Sequence, residues 1–215
     1  MEKLTYSIIY VGTGIAITLK LLLGGMCISI FLGLLMSVLR YNGIGRCFIN
    51  SIISVIRGTP VILQLSFIYF TIPGIFGVKL TAISAGVIAF GLNSSAYVAE
   101  ILRAGIESIP KGQFEAAQTL EISMVPMWRD IILPQVVRNI LPAMVGEVIA
   151  LLKETALIAT IGGMDLMRRS QTLAAERFEY FLPLCVAGAY YYCMGLFIEF
   201  IGRKIERSEK YAKGI

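Results

Sequence analysis

The chain has 215 residues, of which 57% are hydrophobic and only 15% charged, and it carries a net charge of +5 with a mean hydropathy of +0.78. A charged fraction so far below the roughly one quarter usual in soluble domains excludes an ordinary water-soluble fold, and the chain reads as an all-α integral membrane protein. It has no histidine, which excludes histidine proton relays and histidine metal sites, and its four cysteines (Cys27, Cys47, Cys185 and Cys193) lack CxxC spacing and read as small apolar filler.

In chain order, the N-terminal MEKLTYSIIYVGTG has a weak basic region and runs into a full-length apolar segment, so it reads as a retained anchor and not a cleaved signal. The first span covers about 15–39, and its single charge, Lys20, sits near one end where the stem can snorkel to the interface. The next apolar region is interrupted at Arg57, Gly58, Thr59 and Pro60, with Thr59 and Pro60 suited to cap and open a new helix. A span over 58–78 follows, expected to end near Pro73 and Gly74. Broken helices survive in membranes only where their backbone is buried in protein or faces a wet cavity, so this break, with Gln64 beyond it, is a candidate for a transport path. The alternative is that Arg57 simply marks the membrane interface.

The third span, about 80–99, leads into a polar face: Asn93, Tyr97 and Glu100 fall at i, i+4 and i+7, while Ala89, Ala96 and Ala99 leave room for neighbouring backbones. A carboxylate at mid-membrane costs roughly 2.5 to 3.5 kcal/mol, so Glu100 should be paired, with Arg103 for instance, or open to water in a cavity. Past Gly105 the chain leaves the membrane, and Pro110, Lys111 and Gly112 turn into a helix rich in good formers at Glu115, Ala116 and Ala117. The two alanines keep one face low enough to enter a groove, and Leu120, Ile122 and Met124 supply an apolar side. An amphipathic helix lying on the inner leaflet is the competing reading, but such a helix calls for more Lys and Arg than this one has.

The fourth span, about 135–157, holds Pro142, Arg138, Glu147, Lys153 and Glu154. Lys153, Glu154 and Thr155 form either a local ion pair or part of a substrate pocket. The polar stretch after Gly162 and Gly163 reads as an external loop, a last span covers 180–198, and RKIERSEKYAKGI reads as a solvated basic tail. The uncharged windows are each about long enough to cross a ~30 Å hydrocarbon core. With the N-terminus outside, twelve Lys and Arg lie on the inner side against six outside, which the positive-inside rule requires, and the polar 106–130 segment and the C-terminus then face the cytoplasm.

The segment beginning EAAQTL at Glu115 resembles the EAA loop of ATP-binding-cassette importer permeases. Residues 18–206 are similar to the membrane subunits of polar amino-acid importers of that class, through RGTPVILQLSFIYF from Arg57, GLNSSAYVAEILRAGIESIPKGQFEAA from Gly91 and LLKETALIATIGGMDL from Leu151. The resemblance implies one permease domain over 1–215, of about five transmembrane helices, in the bacterial cytoplasmic (inner) membrane. Its coupling helix, carried by Gly112, Glu115, Ala116, Ala117, Leu120 and Glu121, would seat in a cleft of a cytoplasmic ATPase dimer. It also implies a second permease copy or a related permease, and an extracytoplasmic amino-acid-binding protein; lipid surrounds the spans and nucleic acid has no part. The family places glycine where this chain has Glu121, so either the turn there is expected to relax into ordinary helix, or Glu121 to make a charge contact with the ATPase that glycine cannot.

No GxxxxGK[ST] loop is present, so the chain reads as a transporter subunit without catalytic or metal residues, with ATP and Mg held by the partner. Asn93, Tyr97 and Glu100 are the leading candidates for the substrate path, with Gln64, Glu147, Glu154 and Thr155 behind them. The acidic members suit a zwitterionic or cationic amino acid. An ion-coupled carrier using Glu100 and Glu147 is one other reading, against which stand the coupling-type loop and the lack of a clear inverted repeat; a membrane scaffold that recruits a soluble partner is another, and it leaves the broken second helix and the polar face of the third span unexplained.

Overall fold

The computed structural model describes residues 2–211, with side chains described to Glu206, and every element among them is helical. The helices are α1 (Glu2–Gly12), α2 (Ile15–Tyr41), α3 (Arg46–Gly58), α4 (Val61–Phe76), α5 (Ala82–Glu107), α6 (Lys111–Thr119), α7 (124–154), α8 (Leu166–Arg177) and α9 (Phe181–Tyr211). Wider π turns interrupt α4 at Phe67–Thr71 and α7 at Met127–Ile132, and a 3-10 turn, Thr155–Ile161, ends α7.

Three segments are long and apolar enough to cross a membrane: Glu2–Tyr41, Ala82–Glu107 and Phe181–Glu206. The pair Arg46–Gly58 and Val61–Phe76 would make a fourth, bent by 101° at the break. Leu133–Glu154 has 22 residues, about 33 Å of helix and enough to span, but it carries the four charges foreseen for the least apolar segment.

The centre is the contact of α2 with α5. A Cβ on Gly33 would lie 2.6 Å from Val98 Cγ1 and 3.0 Å from the Ser95 carbonyl, and one on Gly91 would lie 2.6 Å from Ile28 Cβ. Only glycine permits the approach, as expected where helices associate by packing and not by escape from water. Ala89, Ala96 and Ala99 are buried as the sequence suggests. Around this seam Leu21, Leu65, Phe90, Leu151 and Ile158 join α2, α4, α5, α7 and the 3-10 turn into one core.

Several expectations are revised. Thr59 closes α3 instead of capping α4: its hydroxyl donates back to the Val55 carbonyl, while Pro60 holds the N-cap position. Helix α4 passes through Pro73 and Gly74 and stops at Gly77, whose φ of 66° is left-handed. The polar stretch after Gly163 is α8, not a loop; the Asp165 carboxylate caps it by accepting from the Arg168 backbone N–H at 2.8 Å, and Leu166 and Leu173 bury themselves against Val11, Val186 and Ala187. The basic tail begins as a continuation of α9, helical through Tyr211; the side chains of Arg207, Lys210 and Lys213 lie outside the described residues. All four cysteines are exposed on outward faces, so they do not fill the core.

Gly33→Val should therefore force α2 and α5 apart and cost about 1–3 kcal/mol as overpacking, whereas Gly112→Ala, where an added Cβ meets nothing within 4 Å, should be silent; thermal unfolding of the purified chain in detergent compares the two directly.

Candidate functional site: a polar cavity and an exposed turn

Glu100 is paired and not free. Its side chain, 18% exposed, accepts from Arg40 of α2 through Oε1 and from Arg103 through Oε2, with Arg103 Nε at 3.2 Å and Nη2 at 2.8 Å, and Arg57 of α3 brings Nη1 to 3.6 Å from Oε2. Arg103 also reaches Glu107 at 2.7 Å. Three guanidinium groups thus converge on one carboxylate, and the immediate surroundings of Glu100 are cationic. The pairing with Arg103 agrees with the spacing; Arg40 and Arg57 come from other helices. The notion that Glu100 offers a spare charge to a cationic substrate is corrected by these partners.

The break between α3 and α4 is satisfied by Gln64, whose amide donates to the Ile56 carbonyl at 2.8 Å and to the Thr59 hydroxyl at 2.8 Å. These bonds serve a carbonyl orphaned where the helix ends, which is what allows it to end inside an apolar setting. The Gln64 carbonyl oxygen accepts from Asn93 at 3.2 Å, so the break is fastened to α5. Below Asn93, the Arg57 guanidinium lies over the Tyr97 ring, 5.2 Å from its centroid. A buried hydroxyl chain runs alongside: Ser29 of α2 donates to Ser94 of α5 at 2.9 Å, and Ser94 donates to Glu147 of α7 at 2.6 Å.

Glu147 is the carboxylate left with a single hydroxyl partner, and it borders a cavity of about 400 Å3 whose walls include Arg57, Tyr97, Glu100, Ser108 and Asn139. A second cavity, about 390 Å3, lies on the other side of Arg57, Tyr97 and Glu100 and is lined by Asn50 and Ser54 of α3. Pro142 interrupts the α7 hydrogen-bond ladder close to Asn139 and Ala143 on the first cavity's wall. Of the residues foreseen from sequence, Asn93, Tyr97, Glu100, Gln64 and Glu147 come together here. Thr155 does not: it is fully buried and donates to the Leu152 carbonyl at 2.6 Å. Glu154 stands two turns along α7 from Glu147 on the same face, and among the described residues no ion pair joins it to Lys153. Arg40, Ser29 and Ser94 were missed, since a serine in an apolar helix and an arginine at its end give no sign of their partners.

The EAA segment folds as α6 followed by a closed turn. The Ile122 N–H bonds to the Ala117 carbonyl at 3.0 Å and the Glu121 N–H to the Gln118 carbonyl at 3.0 Å, the two bonds of a Schellman ending. Its left-handed position is Glu121, with φ of 53°, so the turn has not relaxed into helix despite a side chain that costs about 1 kcal/mol there. Gly112, Glu115, Ala116 and Glu121 are exposed. Ala117 is not available to a groove: it packs inward on Ile109, Met127, Ile132 and Val136. The apolar surface left open is Leu120, Met124 and Val125, each more than 70% exposed.

Losing Arg40 leaves Glu100 with Arg57 and Arg103, so Arg40→Gln should be less harmful than Glu100→Gln, which leaves the arginines without their shared carboxylate. A double-mutant cycle of Arg40→Gln and Glu100→Gln, read by thermal unfolding, should return a coupling of about 1 kcal/mol or more; additive effects would show that the contact contributes nothing.

A family model described as the binding-protein-dependent transport system inner membrane component matches residues 29–211. The arginine transport system permease protein ArtQ of Bacillus subtilis is 43% identical over 200 residues, covering 92% of this chain and 91% of its own length. A Rickettsia typhi protein provisionally named as the permease of a glutamine transport system is 44% identical over 202 residues, 93% of each chain. The crystal structure of an amino acid ABC transporter with histidines superposes with a TM-score of 0.86 at 38% identity, over 97% of this chain and 96% of that one. The inward-facing methionine transporter MetNI superposes at 0.74 over 97% and 99%, but at 18% identity that likeness speaks to the fold alone. The chain belongs to the family of inner membrane components of binding-protein-dependent transport systems, as a multi-pass permease.

Proposed function

We propose that this chain is the permease of an ATP-driven importer that moves a polar amino acid across the inner membrane by alternating access. Relatives named for arginine and glutamine transport, and a structural neighbour titled as an amino acid transporter, support that substrate class. Residues 1–215 act as one permease domain, with 106–130 as the coupling loop. An ATPase dimer carries ATP and Mg; a second permease copy or a related chain completes the pore; an extracytoplasmic binding protein delivers the amino acid. The distribution of Lys and Arg supports an orientation with the N-terminus outside and the C-terminus in the cytoplasm.

The observation that carries this reading is the turn at Glu121. An energetically unfavourable backbone conformation, exposed and beside Leu120, Met124 and Val125, is what a docking surface looks like before its partner covers it. Leu120→Asp should weaken co-purification of the ATPase about tenfold or more, the scale of a central interface residue, while the permease itself still folds. Glu121→Gly should stabilise the isolated chain by about 1 kcal/mol. A cross-link from Leu120 to the ATPase also fixes which side of the membrane α6 occupies; retention of the ATPase by Leu120→Asp would reject the docking role.

In the cavity, an amino acid can be held by both its charges. Arg57, 43% exposed, suits a carboxylate, and Glu147 suits an ammonium or a cationic side chain. Glu100, already shared among three arginines, positions them. Glu147→Gln should lower uptake of a cationic amino acid by about tenfold or more in proteoliposomes, the effect of one lost charge-assisted hydrogen bond. Undiminished uptake in a stably assembled variant would remove Glu147 from the path.

A further inference from the structure

The only tryptophan of the chain, Trp128, stands in the π turn of α7 between the coupling helix and the end of α2. Its ring meets Phe114 of α6 with centroids 6.1 Å apart and planes at 67°, and it meets Tyr41, the last residue of α2, at 5.1 Å and 82°. Both are edge-to-face contacts, the geometry that ring quadrupoles favour. The underside of α6 is otherwise packed on α7 and on the end of α5, through Ala117, Ile109 and Ile132. The aromatic series adds a route to α2.

That route ends at the cavity. Arg40 and Tyr41 are neighbours, about 100° apart around α2, so that Tyr41 reaches Trp128 while Arg40 grips Glu100. After Tyr41 the chain passes through Gly43 and Gly45, both left-handed with φ of 75° and 59° and with nothing within 4 Å of an added Cβ. This link is open and glycine-jointed, so the last turn of α2 can shift without dragging α3 rigidly with it. A π turn, which is often retained at working positions in helices, sets the register that turns Trp128 toward both rings.

We propose that Trp128 is a positioning residue for transport, carrying displacement of the coupling helix through Phe114 and Tyr41 into the Arg40–Glu100 contact at the cavity wall. The mechanism is mechanical: packed rings edge to face cannot be compressed, so movement of one must move the next or break the contact. The proposal rests on α6 being the ATPase docking element, and the test separates the two.

The assembled transporter, with its ATPase and binding protein in proteoliposomes, is assayed for ATP hydrolysis and for uptake per ATP hydrolysed. Trp128→Ala and Tyr41→Leu should leave basal hydrolysis within about twofold and lower uptake per ATP about tenfold, within the usual range of coupling between sites. Trp128→Phe, which keeps a ring, should restore most of it, and the Trp128→Ala/Tyr41→Leu pair should be no worse than either change alone, because both cut one route. The emission of Trp128, obtained by subtracting the Trp128→Phe complex, should shift when ATP and loaded binding protein are added. Tyr41 is 58% exposed, so Tyr41→Leu carries the test if Trp128→Ala does not fold. Wild-type uptake per ATP in Tyr41→Leu or Trp128→Ala overturns the proposal, as does a loss of basal hydrolysis in every variant. If no cross-link forms between α6 and the ATPase in the unmodified complex, the docking reading fails; if it forms and uptake per ATP is unchanged in the variants, the relay alone fails.

Discussion

The rest of the molecule depends on how closely α2 and α5 approach. Within lipid no hydrophobic gain separates a helix–helix contact from a helix–lipid contact, so association comes from packing, and packing is best where side chains are missing. Gly25, Gly33 and Gly91 provide that absence along one seam. With the two backbones in contact only one register is allowed, and that register sets Ser29 against Ser94 and Arg40 against Glu100. A slip of one helical turn would leave Arg40 without a carboxylate and Glu100 with one arginine fewer, and a partly buried charge without its partner is costly. Steric fit and charge pairing therefore enforce the same alignment.

From that alignment the polar interior follows. The end of α3 in an apolar setting exposes carbonyls that water cannot reach freely, and Gln64 answers them while also binding Asn93. The broken helix is thus attached to the α2–α5 unit by a hydrogen bond above and by the Arg57–Glu100 and Arg57–Tyr97 contacts below. Two cavities of similar size meet at that lower contact. A wall made of charges and a cation–π stack suits a passage, because each interaction can be exchanged for one with a polar solute at little net cost, unlike a wall of interlocked aliphatic side chains.

Beyond the same ends of these helices the coupling region combines a rigid body with a strained tip. Ala117, Ile132 and Val136 bind α6 to the start of α7, while Glu121 keeps a left-handed backbone that most residues avoid. Strain held on an exposed turn is tolerated only when the surroundings determine it, and here the Schellman bonds and the buried Ala117 do so. Phe178 ends α8 with the same left-handed geometry and the same pattern of backbone bonds, so this chain twice uses a non-glycine residue where a helix must stop. Phe178, itself 94% exposed, also stands beside exposed Tyr180 and Phe181, so what sets Glu121 apart is its place in the EAA segment.

Composition and local pattern alone determined that the chain is a helical membrane protein, that its second apolar region breaks at Thr59 and Pro60, that Asn93, Tyr97 and Glu100 share a face, and that the segment from Glu115 begins a polar helix between apolar spans. These depend on hydropathy, on the 3.6-residue period and on short-range backbone chemistry, all of which are written within a few residues of one another. Tertiary structure alone decided that Glu100 is shared by arginines from α2 and α3, that Glu147 accepts from Ser94, that Ala117 faces inward, and that the polar run after Gly163 is a helix capped by Asp165. The first three are contacts between residues tens of positions apart or a choice between burial and exposure, settled by helix register; the Asp165 cap is local, but α8 is held by burial of Leu166 and Leu173 against α1 and α9. Register is set by how well two whole surfaces fit, a property that no window of the sequence contains.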